Sequence, residues 1–387
     1  HPFAYVWYLS MKCSQFGDLM ATAAVGGTLS LLLYGDELVP GNPLRNDSGR
    51  KVLAFYYAFL EWPAWILQCS DAWLCFGVLR TSIIDTVKGG VSAIFAKVLR
   101  LMFVDGPANF TTGVLFVHKS YEKLIRAIFS GIIADEKGLK DAFDLKGASG
   151  TKPCPSCQNM FNFIHRTGVR ANDYQLSLDN TAPETWIRHS DESMFEIHDR
   201  LSKLDDGKKG SKGKMDVLET ASGINYNPLG LLGDLALRTI VKPALHYIRD
   251  WQHTLCSNGV ANWQLAATLN AIIDDPVLRQ NEIGLDTIAE YCSHYQLPGR
   301  GAAPKWWWGE HYLTRDHVRH FASEVLSMVP FLLAFMVEIV APYGTLVRHI
   351  ECLDALNKVL SLLSGNRLVT EQVKDTLEGL IIEHMSI

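Results

Sequence analysis

"GTLSLLLYGDEL", residues 27–38, decides the fold. The run from Leu29 to Tyr34 is apolar except for Ser30, follows the turn signal Gly26-Gly27 and stops at Asp36. So bounded, it reads as a β-strand with a carboxylate at its C-terminal end. Two more strands are predicted, in "KVLAFYYAFLEW" (51–62) and "AWLCFGVLR" (72–80). From 82 to 103 the period changes: Ile84, Val87, Val91, Ile94, Phe95, Val98 and Leu99 recur at helical spacing in spite of Gly89-Gly90. "TGVLFVHKS" (112–120) and "LIRAIFSGIIAD" (124–135) read as strands again, the second closing on Asp135, and "EKGLKDAFDL" (136–145) reads as a helix.

This order of strand, strand, strand, helix, strand predicts an α/β fold. In such a sheet the strand ends converge on one crevice, so Asp36 and Asp135, far apart in the chain, can meet there. Two half-buried carboxylates repel unless something positive lies between them, and a divalent cation is the usual remedy. Each acid also has a plainer reading as a turn residue, and Asp135 as the N-cap of the helix from Glu136.

A chain of 387 residues holds one elaborated domain or two ordinary ones. With 48% hydrophobic and 20% charged residues it has globular composition, which excludes wholesale disorder. The net charge of -5 supplies no global basic field, so any contact with nucleic acid must be local. The eight cysteines are scattered along a long chain, as reduced thiols in a cytosolic or nuclear setting are. The apolar stretches Leu19 to Gly35 and Val325 to Val337 fall short of a membrane span, and no membrane partner is expected. The start at His1, with no charged segment before an apolar one, is expected of a fragment without a secretory signal. No phosphate-cradling glycine motif occurs, so no nucleotide cofactor is expected.

Beyond residue 150 the character changes. Cys154 and Cys157 in "TKPCPSCQNMF" (151–161) have the two-residue gap of a tetrahedral metal site, and no second CxxC exists to complete it. Pro153 and Pro155 favour a knuckle over a thioredoxin-like redox motif. The tract "KLDDGKKGSKGKMD" (203–216) reads as an exposed loop, and after Asn225 the chain reads as almost wholly helical. Three segments are expected: 1–150 with the sheet and its acids, 151–225 with the knuckle and a flexible insertion, and 226–387 helical.

Taken together, "LLLYGDELVPGNPLRNDSGRKVLAFYYAFLEW", "GIIADEKGLKDAFDLKGASGTKPCPSCQN", "IRDWQHTLCSNGVANWQLAATL" and "FASEVLSMVP" resemble the catalytic core of DDE-type DNA transposases over roughly residues 27 to 340. The nearest look is to the groups around Plavaka and CACTA elements, as in transposon-derived reading frames of dinoflagellates. In that pattern an Asp closes the first strand, a second Asp precedes a CxxC, and an Asp-x-x-His follows a long insertion. Here these are Asp36, Asp135, Cys154 with Cys157, and Asp250 with His253.

The resemblance implies a ribonuclease-H-like mixed sheet with a zinc knuckle, a large helical insertion and C-terminal helices. It also implies a nuclear enzyme acting on transposon-end DNA, with a homo-oligomer as its form. Two Mg²⁺ or Mn²⁺ ions would be held by three acids that act as ligands in phosphoryl transfer. The third acid is normally a Glu on a late helix; Glu324 is chosen, with Glu338 its rival and Glu310 more distant. His253 and Cys256, at i, i+3 spacing, could complete a Zn²⁺ site with Cys154 and Cys157, with His165 a local rival. Two other readings stay open: a derivative that keeps the fold as a DNA- or protein-binding scaffold without the reaction, and a zinc-stabilised helical interaction protein without the sheet. The tryptophans of "KWWWGEHY" (305–312) read chiefly as packing, and His311, His317 and His320 as surface residues.

Overall fold

The computed structural model describes residues 2–40, 50–147, 150, 156–158, 162–165, 174–177, 185–205, 211–297, 301–365 and 370–387. The chain divides into two compact units, His1–Arg249 and Asp250–Ile387.

The first unit opens with helices α1 (Pro2–Lys12) and α2 (Ser14–Ala23), then strands β1 (Thr28–Leu38) and β2 (Val52–Phe59). Two short helices, α3 (Ala64–Leu67) and α4 (Thr81–Ile84), flank β3 (Leu74–Arg80). Next come α5 (Gly90–Phe103), the hairpin of β4 (Val114–His118) with β5 (Tyr121–Ala134), and α6 (Glu136–Phe143). A separate hairpin of β6 (Asn162–His165) with β7 (Tyr174–Ser177), helices α7 (Asp191–Leu204), α8 (Ser211–Ser222) and α9 (Pro243–His246), and strand β8 (Tyr247–Arg249) complete it.

The main sheet is mixed. Its order is β3-β2-β1-β5-β4, with β8 beside the C-terminal part of β5. β1, β2 and β3 form an antiparallel meander, whereas β1 and β5 are parallel, as are β5 and β8. The unbroken Leu run of β1 follows from this central position. Leu29, Leu31 and Leu33 are fully buried, and Leu32 on the opposite face is nearly so. Each such side chain contributes roughly 1.5–3 kcal/mol by leaving water. Gly35 and its register partner Phe55 lie under α5, where Phe95 approaches both.

The helix predicted over 82–103 is two elements. Gly89 takes a left-handed φ of 86°, which ends the α4 region and starts α5 at Gly90. The tract at 203–216, expected as a loop, is helical from Ser211, within α8. The segment 151–225 is not a separate body in its described part: Met194 and Leu201 of α7 enter the core of the first unit with Phe95, Leu99 and Phe143. Their i, i+7 spacing gives α7 the apolar stripe that docks it. The unit boundary falls after Arg249 rather than at 150 or 225.

The second unit comprises α10 (Trp251–Leu255), α11 (Val260–Asp274), α12 (Pro276–Gln280), α13 (Leu285–Ser293), α14 (Ala322–Phe335), α15 (Val347–Gly365) and α16 (Glu371–Ser386), with one tiny hairpin, β9 (Gln296–Leu297) and β10 (Gly301–Ala302). Leu265, Ile288, Trp307, Trp308, Met328 and Leu356 share its core. Trp306, by contrast, is 47% exposed. Pro330 does not end α14, which runs on into a π-turn over Met336–Val340. The helical stretch Ala322–Tyr343 is long and apolar enough by length and composition to cross a membrane. Its Val325, Met328, Val329, Leu332 and Phe335 are buried in that core.

Candidate functional site

The C-terminal ends of β1 and β5 open into one cavity of about 300 Å³. Their last register pair is Tyr34 with Ile133, and two residues further along each strand stand Asp36 and Asp135. Both line the cavity, with Glu37, Asp85, Lys137 and Asp141. The adjacency follows from the parallel pairing, which puts two strand ends on one rim about 4.8 Å apart in the sheet.

Among the described residues each carboxylate is oriented by a single donor. Asp36 is half-buried and accepts a hydrogen bond on Oδ2 from the Tyr34 hydroxyl at 3.0 Å. Tyr34 in turn lies among Tyr56 and Trp73, with ring centroids 6.0 and 5.8 Å away. Asp135 caps α6, its Oδ1 accepting from the Gly138 N–H at 2.6 Å. The plainer reading of Asp135 as a cap is therefore realised, and the same side chain lines the cavity. Gly138 permits the approach: a Cβ there would lie 3.1 Å from Asp135 Oδ1 and 3.0 Å from Ala134 Cβ.

Among the described residues neither Asp36 nor Asp135 forms an ion pair with Lys or Arg. Lys137 is directed elsewhere, 3.9 Å from Glu37, which also pairs with Lys51. Asp141 is held above the usual carboxylate range, first by desolvation and further by the charges of Asp135 and Glu37, with Lys137 and Lys140 opposing. Its residue surface is nonetheless open to solvent. The rim is therefore rich in negative charge, and that field attracts a cation.

The other expected ligands are engaged within their own surroundings. Glu324 reaches back over the start of α14, where its Oε2 accepts from the Phe321 N–H at 2.9 Å and lies 3.4 Å from His320 Nδ1. His320, expected at the surface, is only 1% exposed in its side chain, and its Nε2 stands 2.9 Å from the Trp307 carbonyl oxygen. Glu338 accepts from the Tyr291 hydroxyl at 2.7 Å, and Glu310 is exposed. Asp250 caps α10 through the Gln252 and His253 N–H groups, and its Oδ2 lies 2.7 Å from His253 Nδ1.

Of the expected zinc ligands, Cys154 lies outside the described residues. Cys157 is buried and accepts from Arg188 at 3.5 Å. Cys256 is fully buried in the second core, where desolvation pushes its thiol up to about 11. Among the described residues, no three His, Cys, Asp or Glu side chains are grouped as metal ligands.

Glu37, Asp85 and Asp141 are the cavity acids that sequence reasoning passed over. The signal that could have found Asp141 was helical: Gly138 and Asp141 are one turn apart on the helix that Asp135 caps. In chemical terms, Asp36 and Asp135 suit a hard divalent ion, since Mg²⁺ is commonly held by one or two carboxylates with water and substrate phosphate completing the shell. Compared with known proteins, the chain matches no family model and no curated protein sequence.

Proposed function

We propose that the first unit is the catalytic core of a DDE-type DNA transposase, cleaving and joining DNA strands by metal-dependent phosphoryl transfer. One observation carries the reading: Asp36 and Asp135 end adjacent parallel strands and line one cavity without a Lys or Arg counter-ion among the described residues. The strand order also supports it. An antiparallel meander is followed by parallel β5 and β8, the arrangement that a ribonuclease-H-like sheet requires.

Asp36 and Asp135 would hold the divalent ions, with Asp141 lining the same cavity, while Glu324, the third acid that the resemblance implies, is engaged at the start of its own helix. When bound, Mg²⁺ or Mn²⁺ supplies Lewis-acid stabilisation of the phosphoryl oxygens and an activated nucleophile. The chain's own contribution is orientation. The Tyr34 hydroxyl and the Gly138 N–H each fix one oxygen of an acid, and the remaining lone pairs are left for ligation. A zinc knuckle at Cys154 and Cys157, transposon-end DNA as substrate, a homo-oligomeric form and work in the nucleus belong to the same proposal.

The test is nicking of supercoiled plasmid by the purified chain in Mg²⁺ or Mn²⁺. Asp36→Asn and Asp135→Asn should each lower the rate on the order of a hundredfold or more, while Glu310→Gln leaves it unchanged. Equal nicking by Asp36→Asn sinks the reading. Plasmid left intact by the wild-type chain selects the second reading, a derivative that keeps the fold as a scaffold without the reaction. That reading is favoured by the lack of a three-ligand group among the described residues.

A further inference from the structure

A larger cavity, of about 740 Å³, lies beside the middle of β5. β4 pairs with β5 from Tyr121 to Ile125 and β8 pairs from Ile132 to Ala134, so Arg126–Gly131 have no strand partner on that side among the described residues. Ser130 is the extra residue of a bulge against β1, and Gly131 follows it with a φ of 142°. The edge is thereby turned aside from continuous pairing, and a hollow remains between β4 and β8.

Phe103, Phe110, Phe129 and Ile248 contribute apolar wall. Against them stands His246, only 4% exposed, its ring edge-to-face with Phe129 at 4.7 Å. Its Nδ1 accepts the Lys242 N–H at 3.0 Å, which leaves the ring proton on Nε2. Burial, with the Lys242 charge adding to it, depresses the imidazole to about 4, so the ring is neutral near pH 7. Among the described residues no acceptor bonds Nε2, which is left for a ligand. Arg126 and Lys242 also line the cavity, and neither forms an ion pair among the described residues. No Asp or Glu among the described residues lines it.

We infer that this cavity binds a small amphipathic carboxylate, its hydrocarbon body against the Phe and Ile walls and its carboxylate met by Arg126, Lys242 and the His246 Nε2–H. A neutral hydrocarbon would gain nothing from the two cations, and a compact inorganic phosphate would leave the apolar walls unfilled. The volume is in the range of small-molecule sites, roughly 300–1,000 Å³, and far below what duplex DNA occupies. The inference is independent of the acid-lined cavity and stands or falls separately from it.

The experiment is calorimetric titration of the full chain with dodecanoate, with dodecanol and inorganic phosphate as comparison ligands. Dodecanoate should bind one to one, and Arg126→Glu with Lys242→Glu, both exposed positions, should weaken it about tenfold or more with the melting temperature held. Amide exchange at Ala127 to Ser130 should slow when dodecanoate is present and stay unchanged with phosphate. Absence of dodecanoate binding, equal binding by the double variant, or dodecanol binding as tightly as dodecanoate would each overturn the assignment.

Discussion

Asp144 ends α6 in left-handed backbone, φ 55°, where Ser92 Oγ donates to its Oδ2 at 2.6 Å and Asn227 Nδ2 to its Oδ1 at 2.8 Å. Desolvation outweighs those two donors and raises its carboxyl to about 7, against 3.8 for the free side chain. Between those values the folded chain retains a proton that the unfolded chain releases. The contribution of Asp144 to stability is therefore greatest below about pH 4, falls as pH rises to 7 and levels off above it, by at most roughly 4 kcal/mol. Asp144→Asn should flatten the slope over that window in chemical denaturation at stepped pH, and an unchanged slope would assign it to other groups. At this scale Asp36 and Asp135 were legible because an apolar strand that stops on an acid advertises its rim. Asp144 and Asp141 were not, since burial and charge repulsion arise from parts of the chain remote in sequence.

Gly131 shows what an element can demand of one residue. Its φ of 142° is a conformation that side chains rarely adopt, and a Cβ there would lie 2.5 Å from Ile248 Cδ1 and 3.0 Å from the His246 carbonyl oxygen. Gly131→Val should therefore lift β8 from the sheet and cost on the order of 2–4 kcal/mol in equilibrium unfolding, whereas Gly106→Ala, with open space around its Cβ, should cost distinctly less. Wild-type stability in Gly131→Val would contradict the tight seating of β8. The five long strands were readable from their apolar runs and turn signals. β8 was not, because three residues, Tyr247–Arg249, carry no period of their own inside a helix-rich stretch and become a strand only by pairing with β5. In α8, the Gly and Lys content of its first residues suggested a loop, and packing of Met215 and Leu218 against the first core overrides that composition.

Each of the two units has its own core, one gathered around β1 and α5 and the other around α11, α14 and α15. A piece comprising His1–Arg249 should consequently fold alone and melt cooperatively, since domain-sized chains with their own core do so. A gradual, non-cooperative melt monitored by circular dichroism would show that the first unit depends on the second. The low net charge and scattered cysteines are properties of composition and were readable from the residues alone, but the division of the chain at residue 249 was not. It cuts across the helix-rich region, where composition stays constant from one unit into the next.

The sequence by itself determined the five principal strands, the helix that follows Asp135 and the presence of acids where β1 and β5 end. Those are local properties, written in the spacing of apolar residues and in the turn signals that bound them. Only the tertiary structure decided that β1 and β5 are parallel neighbours, that Asp36 and Asp135 share a cavity with Asp141, and that Glu324 serves its own helix. Strand pairing and cavity walls join residues distant in the chain, and a linear pattern records which residues prefer burial but not which partners they are buried against.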